Sequence, residues 1–259
     1  MKKIKKYLIN KRIKNPFFSI ITVVKNNEQQ INKTIKSVVN QTYKNFEYLI
    51  IDGKSTDHTI SNILKLKKKI NFFSSEKDQG IYYAMNKGIK NSHGKVILFV
   101  NSGDTLKPNG LKYVKKIFDT NNKIDFVFGT VKRHYTRSTI LKYGYNKKRL
   151  FYNFDFATAH STGFFLKKKI FKKVGNFNTK FKCSADYDLY YKVLIKNNCI
   201  GSFTKKNQVV GEVSSGGYSS KISFFDHLKE ETLIRIHNNQ NSIIIFFIFL
   251  NSLIKNFFK

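Results

Sequence analysis

The sequence predicts an α/β fold with a mostly parallel central sheet flanked by helices. Apolar runs rich in β-branched and aromatic residues alternate with segments whose apolar residues have helical spacing. This alternation of strand and helix is typical of a parallel sheet. With 259 residues and 41% hydrophobic content, the chain is also long enough to bury a substantial core.

The first half of the chain shows the alternation most clearly. Buried strands are predicted at 17–24 and 46–52, and Ile31, Ile35 and Val38 between them lie on one helical face. Further strands are predicted at 70–73, 95–100 and 124–130, with helices before and after the strand at 95–100. Beyond residue 130 we expect hairpin-like segments to about 166 and one helix at 185–196.

The charge of the chain is strongly unbalanced. Its 48 Lys and Arg residues against 16 Asp and Glu residues give a formal net charge of +32. One interpretation is an anionic partner such as a phospholipid surface or a phosphorylated substrate, and the other is a compositional habit of the source. No known nucleic-acid-binding motif supports recognition of RNA or DNA. Two cysteines are too few for a disulfide framework or a zinc site, which fits a reducing compartment.

The C-terminal segment 243–258 is intensely apolar but interrupted by Asn251, Ser252, Lys255 and Asn256. It is shorter than the ~20 residues that span a bilayer. Two interpretations stay open, namely a helix lying in a membrane interface and a helix packed on the domain.

Three acidic residues follow predicted strands. Asp52, Asp78 and Asp104 lie at or just after strand ends, and in a parallel sheet those ends share the edge where ligands bind. Turn formation and helix capping are the alternative explanation for each of them. The chain has no Gly-x-Gly-x-x-Gly and no Walker sequence, whereas carboxylates suit Mg²⁺ or Mn²⁺ bound together with a diphosphate. The edge therefore predicts a nucleotide diphosphate as ligand.

Four sequence blocks together resemble the family 2 glycosyltransferases, in particular those that assemble bacterial surface polysaccharides. The blocks are FFSIITVVKNNEQQINKTIKSVVNQTYKNFEYLIIDGKSTDHT, SEKDQGIYYAMNKGI, ILFVNSGDTL and CSADYDLYYKVL, and the resemblance covers about 16–197. It implies a Rossmann-like GT-A fold with a C-terminal acceptor-side portion. It also implies a nucleotide-diphosphate sugar donor, expected to be UDP-linked, a divalent metal (Mg²⁺ or Mn²⁺), and inversion at the anomeric carbon.

The resemblance also assigns donor-binding residues. Asp52 matches the acid that hydrogen-bonds the nucleotide base, and Thr22 is expected in the loop that borders the base. Glu28 falls in the same loop, with capping of the first helix as its alternative. Asp78 and Asn86 match a segment near the ribose and sugar, with helix capping as their alternative.

The remaining assignments concern the metal and the acceptor side. Asp104 matches the last acid of the metal-binding motif, although the family often has acids where this chain has Asn101 and Gly103. Asp186 matches the catalytic base. Asp188 is its rival, and the two side chains point about 200° apart on a helix.

His160 matches a position near the acceptor or diphosphate in relatives, and a structural role is its alternative. The rival residue Asp188 is assigned to this acceptor side as well.

These assignments divide the chain into four parts. Residues 1–15 form a basic segment, 16–130 the nucleotide-sugar-binding half, 131–225 the acceptor-side half with the base, and 226–259 an apolar helical segment. The expected enzyme transfers a hexosyl or N-acetylhexosaminyl group to a glycan or lipid-linked acceptor, and lies in the cytoplasm on the inner face of the cell membrane. The alternatives are a basic nucleic-acid-binding protein and a catalytically inactive partner of another transferase.

Overall fold

A computed structural model describes residues 7–8, 13–152, 161–217 and 222–257. The strands are β1 (Tyr7–Leu8), β2 (Phe18–Val24), β3 (Phe46–Asp52), β4 (Phe72–Ser75), β5 (Val96–Phe99), β6 (Thr105–Leu106), β7 (Phe126–Phe128), β8 (Thr130–His134), β9 (Thr139–Lys142), β10 (Phe164–Lys167), β11 (Gly201–Phe203) and β12 (Val209–Val213). The helices are α1 (Ile31–Val39), α2 (Thr59–Lys65), α3 (Ile81–Asn91), α4 (Gly110–Thr120), α5 (Lys147–Tyr152), α6 (Lys168–Val174), α7 (Ala185–Tyr191), α8 (Phe224–His237) and α9 (Ser242–Phe257). The predicted basic segment 1–15 lies mostly outside the described residues.

The main sheet has the strand order β1-β4-β3-β2-β5-β10-β7-β11. Strands β2, β3, β4 and β5 are parallel to one another, and β7 and β11 run in the same direction because β10 pairs antiparallel with both β5 and β7. The predicted mostly parallel sheet is confirmed. Strands from both sides of residue 130 enter this sheet, so it crosses the predicted boundary between the two halves.

Both faces of the main sheet are buried, which is why its strands are continuous apolar runs. In β2, Ile21 and Val23 belong to one hydrophobic cluster, whereas Phe18 and Ile20 belong to the other. Helices α3 and α7 pack residues into the first cluster, and α1 and α4 pack residues into the second.

A second sheet has the strand order β6-β12-β8-β9. Its first strand in the chain, β6, comes shortly after β5 of the main sheet. Strand β6 begins directly after Asp104 and pairs antiparallel with β12, which pairs parallel with β8. The hairpin β8–β9 corresponds to the hairpin-like segment expected after residue 130. The sheet as a whole was not predicted, because β6 has only two residues and its partner lies about 100 residues later in the chain.

The predicted helix at 185–196 is present but changes its hydrogen bonding along its length. Its first part is α7, and Lys192–Lys196 continues as a π-helical turn. Two further helices, α8 and α9, form the C-terminal part and pack on each other. Among the described residues, none of the helices has the length and apolar character needed to cross a membrane.

We predict that Gly94→Ala destabilises the fold. An added Cβ at this glycine, just before β5, would lie 2.5 Å from the Ser19 backbone nitrogen, and the Gly94 N–H donates to Ser19 Oγ at 2.7 Å. Backbone cannot yield as a flexible side chain can, so we expect a loss of about 3 kcal/mol in the free energy of unfolding. Urea denaturation measures this loss. Gly217→Ala is the matched control because, among the described residues other than its chain neighbours, no heavy atom lies within 4 Å of an added Cβ there. An equal loss in both variants would contradict the prediction.

Candidate active site

The candidate site lies where β2, β3, β4 and β5 end at the same edge of the main sheet. The parallel register places Val24 opposite Asp52 and Asp52 opposite Ser75. The loops that follow these strands carry most of the residues that the sequence analysis selected. The topology therefore brings the strand-end acids to one edge, as expected for a ligand site in an open α/β sheet.

Asp52 is the last residue of β3 and is fully buried. Its carboxylate accepts hydrogen bonds from the Ser55 N–H at 3.0 Å, the Ser55 hydroxyl at 2.5 Å and the Ser75 hydroxyl at 2.6 Å. A carboxylate has about four acceptor positions, so these contacts use most of its capacity. The contacts of Asp52 hold the loop after β3 against β4.

Glu28 connects the loop after β2 with the start of α2. Its carboxylate accepts from the His58 N–H at 2.7 Å, and its own N–H donates to Asp57 Oδ2 at 3.1 Å. His58 is the N-cap residue of α2. Glu28 therefore caps the second helix of the chain, and the alternative that it caps the first helix is wrong.

Thr22 lies inside β2 and not in the following loop, which corrects the sequence-based expectation of its place. Its side chain is fully buried, donates to the Val100 carbonyl oxygen at 2.8 Å and contacts the Tyr48 hydroxyl at 2.9 Å. Seven consecutive buried residues in β2 explain the difference, because the strand extends two residues beyond Thr22.

Asp78 and Asn86 flank the first turns of α3 and make different contacts. Asp78 is 7% exposed and forms an ion pair with Lys87 Nζ at 2.5 Å. Burial raises the pKa of Asp78, and Lys87 opposes this increase. Asn86 lies within α3, donates to the Phe177 carbonyl oxygen at 2.9 Å and accepts from the Phe177 N–H at 3.1 Å. The N-cap residue of α3 is the glycine Gly80, and the contacts described for Asp78 and Asn86 go to Lys87 and Phe177.

Asp104 is buried, and its carboxylate joins three parts of the chain. Oδ2 accepts from the Thr162 hydroxyl at 2.7 Å, and Oδ1 accepts from the Ser214 N–H at 3.0 Å. The Thr34 hydroxyl donates to the Asp104 carbonyl oxygen at 2.8 Å and accepts from the Gly103 N–H at 2.9 Å. The loop 101–104 is therefore held by α1, by the turn before β10 and by the end of β12.

Two buried oxygens in the same loop have no hydrogen-bond partner among the described residues. These are Asn101 Oδ1 and Ser102 Oγ, while Asn101 Nδ2 donates to Ser161 Oγ at 3.0 Å. Buried polar groups without partners are rare and usually bind water, an ion or a ligand. Together with the Asp104 carboxylate they are hard oxygen donors of the kind that suits Mg²⁺ or Mn²⁺. The described residues contain no group of three or more His, Cys, Asp or Glu side chains that could hold a metal, so a diphosphate would have to supply further ligands.

Gly103 explains why an acid is absent at this position of the loop. Its φ of +108° is strained for residues with a side chain, and an added Cβ would approach Gln30 Oε1 to 2.4 Å. The backbone geometry of this loop therefore requires glycine.

Asp186 lies in the first turn of α7 and is half-buried. Its Oδ1 accepts from the Tyr82 hydroxyl at 3.2 Å and from the Tyr187 N–H at 2.9 Å. Burial and the nearby Asp186 charge raise the pKa of Tyr82, so this hydroxyl stays protonated and donates. Asp186 and Ser161 line the same small cavity, with Met85, Phe99, Phe177 and Tyr190 among its apolar walls.

Asp188 has different surroundings from Asp186. It is 2% exposed, and its carboxylate forms an ion pair with Lys192 Nζ at 2.6 Å and accepts from Asn238 Nδ2 at 3.0 Å. These contacts attach α7 to α8. His160 lies outside the described residues, but the next two residues, Ser161 and Thr162, contact the loop 101–104.

Several residues of the site were not found by sequence reasoning. Thr162 and Ser214 contact Asp104 across 58 and 110 residues of sequence, and Tyr82 contacts Asp186 across 104 residues. Glu230 of α8 accepts from backbone N–H groups just before α7. No local pattern marks such partners, although Tyr82 does lie in one of the four blocks.

The family described as "Glycosyl transferase family 2" matches residues 19–175. A glycosyltransferase from Rickettsia typhi is 29% identical over 189 residues, which cover 70% of this chain and 59% of that protein. The match thus spans about three fifths of the Rickettsia protein. A PGL/p-HBAD biosynthesis glycosyltransferase from Mycobacterium bovis is 30% identical over 180 residues, which cover 67% of this chain and 68% of that protein.

Two solved structures show the same fold. The structure of S. aureus TarS 1–349 in complex with UDP-GlcNAc has a TM-score of 0.69 at 18% identity, covering 91% of this chain and 71% of the TarS 1–349 chain. The mannosyltransferase PcManGT from Pyrobaculum calidifontis, in complex with GDP-Man and Mn²⁺, has a TM-score of 0.64 at 13% identity, covering 91% of this chain and 68% of that protein. The likeness confirms the GT-A fold expected from the sequence.

We predict a pH-dependent effect of Glu231→Gln on stability. Burial raises the pKa of Glu231 to about 8, with Asp186 and Glu230 adding to the increase and Arg235 opposing it. Between about pH 5 and 8 the folded state therefore binds more protons here than the unfolded chain, and the free energy of unfolding falls as pH rises. Glutamine does not titrate, so the variant lacks this loss. The free energy of unfolding of the variant minus that of wild type should therefore be at least about 1 kcal/mol larger at pH 9 than at pH 5.5. Urea denaturation at both pH values measures the difference, and an unchanged difference would count against the raised pKa.

Proposed function

Because the chain belongs to glycosyl transferase family 2, we propose that it transfers a sugar from a nucleotide diphosphate to a hydroxyl of a glycan or lipid-linked acceptor. The observation that carries this proposal is the link between Asp186 and the loop 101–104. Ser161 lines the cavity of Asp186 and contacts Asn101, and the adjacent Thr162 contacts Asp104. The turn 161–162 thus lines the cavity of the candidate base and contacts the candidate diphosphate site.

Asp186 is the proposed catalytic base. A sugar hydroxyl is a poor nucleophile, so a carboxylate within hydrogen-bond reach accepts its proton while the oxygen bonds to the anomeric carbon. In the same displacement the bond from that carbon to the diphosphate breaks, the diphosphate leaves with the electron pair, and the configuration inverts. The Tyr82 hydrogen bond and the Tyr187 N–H fix the orientation of the carboxylate.

The donor is proposed to bind along the edge formed by the ends of β2 to β5. Asp104, with the unpartnered oxygens of Asn101 and Ser102, would hold a divalent metal and the diphosphate. When bound, the metal would stabilise negative charge on the leaving diphosphate. Asp52 and Asp78 would lie on the nucleotide side of the donor, where their contacts shape the loops that follow β3 and β4.

The other assigned residues have supporting roles in this proposal. Thr22 and Glu28 hold the strand and the loop that border the donor, and Asn86 holds the Phe177 backbone below Tyr82. Asp188 is proposed to fix α7 to α8 and not to act as the base, because it is paired with Lys192 and Asn238. His160 stays a candidate for the acceptor or diphosphate side.

We propose a UDP-linked donor and a role in cell-surface polysaccharide biosynthesis. The donor is supported by the structural neighbour TarS, whose structure contains UDP-GlcNAc, although PcManGT contains GDP-Man. A biosynthetic role is supported by the mycobacterial relative, which is named for PGL/p-HBAD biosynthesis. A catalytically inactive partner subunit is the competing outcome of the test below.

We predict metal-dependent release of nucleoside diphosphate from one nucleotide sugar. Asp186→Asn should lower turnover by about 10²- to 10⁴-fold with donor affinity retained, because it removes the proton acceptor. Asp104→Asn should instead weaken the Mn²⁺-dependent binding of UDP, measured by calorimetry.

The control is Asp119→Asn, which changes an exposed carboxylate on α4 and should leave both properties unchanged. Folded wild-type protein that binds no nucleotide with Mn²⁺ and releases none from any donor, with lipid-linked acceptors present, would refute the proposed activity. The inactive-partner interpretation would then be favoured.

The α9 surface is proposed to attach the protein to the inner face of the cell membrane. We define it as the exposed apolar residues of α9: Ile243, Phe246, Phe247, Phe249, Leu250, Ile254 and Phe257. Ile245 and Ile248 of the same helix are buried, so α9 has one packed side and one exposed apolar side. The helix contains no acidic residue, and the net charge of +32 complements anionic phospholipid.

We predict that the full chain binds vesicles containing anionic phospholipid more strongly than neutral vesicles. Phe246 and Phe247 are 60% and 62% exposed, so the double variant Phe246→Ser with Phe247→Ser should weaken binding at least about tenfold in a flotation assay. The control Phe203→Ser changes a 51% exposed phenylalanine on β11 and should bind like wild type. A dimer that dissociates in the double variant, with no vesicle binding by wild type, would assign the surface to a second copy of the chain.

A further inference from the structure

The carboxylate of Glu230 on α8 binds the segment just before α7. Its Oε1 accepts from the Lys182 N–H at 2.6 Å, and its Oε2 accepts from the Cys183 N–H at 3.0 Å and the Ser184 N–H at 2.9 Å. The Cys183 thiol also donates to Oε2 at 3.1 Å. One side chain from a distant helix thus receives four donors from three consecutive residues.

The start of helix α7 receives little from its own side chains, of which Asp186 accepts from the Tyr187 N–H. Its N-cap residue is Ser184, and that side chain makes no capping hydrogen bond. Backbone N–H groups at a helix start need an acceptor, and a carboxylate there also interacts favourably with the helix dipole. Glu230 fulfils this function from outside the helix, and the Ser184 N–H that it binds lies two residues before Asp186.

The hydrogen bonds keep Glu230 ionised. Burial by itself raises its pKa, but the donors from Lys182, Cys183 and Ser184 outweigh burial and hold the pKa below its ordinary value. Burial raises the pKa of the Cys183 thiol to about 12, so the thiol stays protonated and remains a donor. The contact is therefore charge-assisted at neutral pH, which makes it stronger than a neutral hydrogen bond.

A second contact fixes the same pair of helices further along. Asn238, just after α8, donates to Asp188 Oδ1 at 3.0 Å. Helix α8 thus holds α7 both before and after the residue Asp186. Tyr82 then orients the Asp186 side chain from α3.

We propose that Glu230 is a positioning residue that sets the place of the Asp186 carboxylate by binding the backbone of residues 182–184. This inference rests on the proposed role of Asp186 as the base and adds a residue that acts only through it. Because reacting groups must be placed to within a fraction of an ångström, release of this segment should reduce turnover and leave donor binding intact.

The experiment compares Glu230→Gln and Glu230→Asp with Ser223→Ala in the full chain. Ser223 caps the start of α8 through the Asp226 N–H at 3.1 Å, so its loss weakens the same helix without removing an acceptor from α7. Steady-state kinetics give kcat and donor KM, and hydrogen exchange of residues 182–191 reports on the segment itself. Each variant is also combined with Asp186→Asn.

For Glu230→Gln we expect kcat to fall about 10- to 100-fold, with donor KM within about twofold and faster exchange at 182–188. Glu230→Asp should recover part of the loss, and Ser223→Ala should lower stability with kcat nearly unchanged. In the Asp186→Asn background Glu230→Gln should cause no further loss of turnover.

The proposal is overturned if Ser223→Ala lowers kcat as much as Glu230→Gln, if the loss persists in full without the Asp186 carboxylate, or if exchange at 182–188 is unchanged. A wild-type protein without turnover refutes the proposed activity separately. In that case faster exchange confined to 182–188 in Glu230→Gln still supports the backbone contact, and unchanged exchange rejects it.

Discussion

Burial of the Asp104 carboxylate is the constraint on which the site depends. An ionised carboxylate leaves water only if hydrogen bonds replace its hydration, and here the Thr162 hydroxyl and the Ser214 N–H do so. Thr162 precedes a strand of the main sheet and Ser214 follows a strand of the second sheet. The contacts of this one carboxylate therefore hold the two sheets against the loop 101–104. In the same loop, Asn101 Oδ1 and Ser102 Oγ are buried and have no hydrogen-bond partner within the part of the chain that the structure describes.

The elements that were predictable from the sequence are those whose signals are local. Strand β3 ends at Asp52, as its apolar run indicated, and the α1 residues Ile31, Ile35 and Val38 are fully buried, as their spacing indicated. Parallel strands have their carboxyl ends at the same edge of the sheet, and this holds for any side chains. The shared edge of Asp52 and Asp104 could therefore be inferred, together with the opposite directions of Asp186 and Asp188.

Three partners in the site could not be predicted, because they come from distant parts of the chain: Thr162 and Ser214 for Asp104, and Tyr82 for Asp186. Thr22 shows a limit of the family resemblance, which places it in a loop. The apolar run 17–24 predicts a strand through this position, and the structure agrees with the run.

Glu28 shows what cannot be predicted for a loop residue. In the sequence it lies just before α1, and only the folded structure shows that its carboxylate accepts from the His58 N–H at the start of α2. The pairing of β12 with β6 could not be predicted either, because the two strands are far apart in the sequence and meet only in the folded chain.

The C-terminal helices connect the two proposals about catalysis and membrane attachment. Helix α8 binds α7 through Glu230 and Asn238, and α9 packs on α8 while exposing the α9 surface. In the proposed attachment, α9 would contact the bilayer, and the proposed base Asp186 on α7 would be connected to it through α8. The net positive charge would favour this attachment, and the carboxylate of Glu230 binds the segment just before α7. The proposed membrane contact of α9 and the proposed place of the base on α7 would thus be linked through α8.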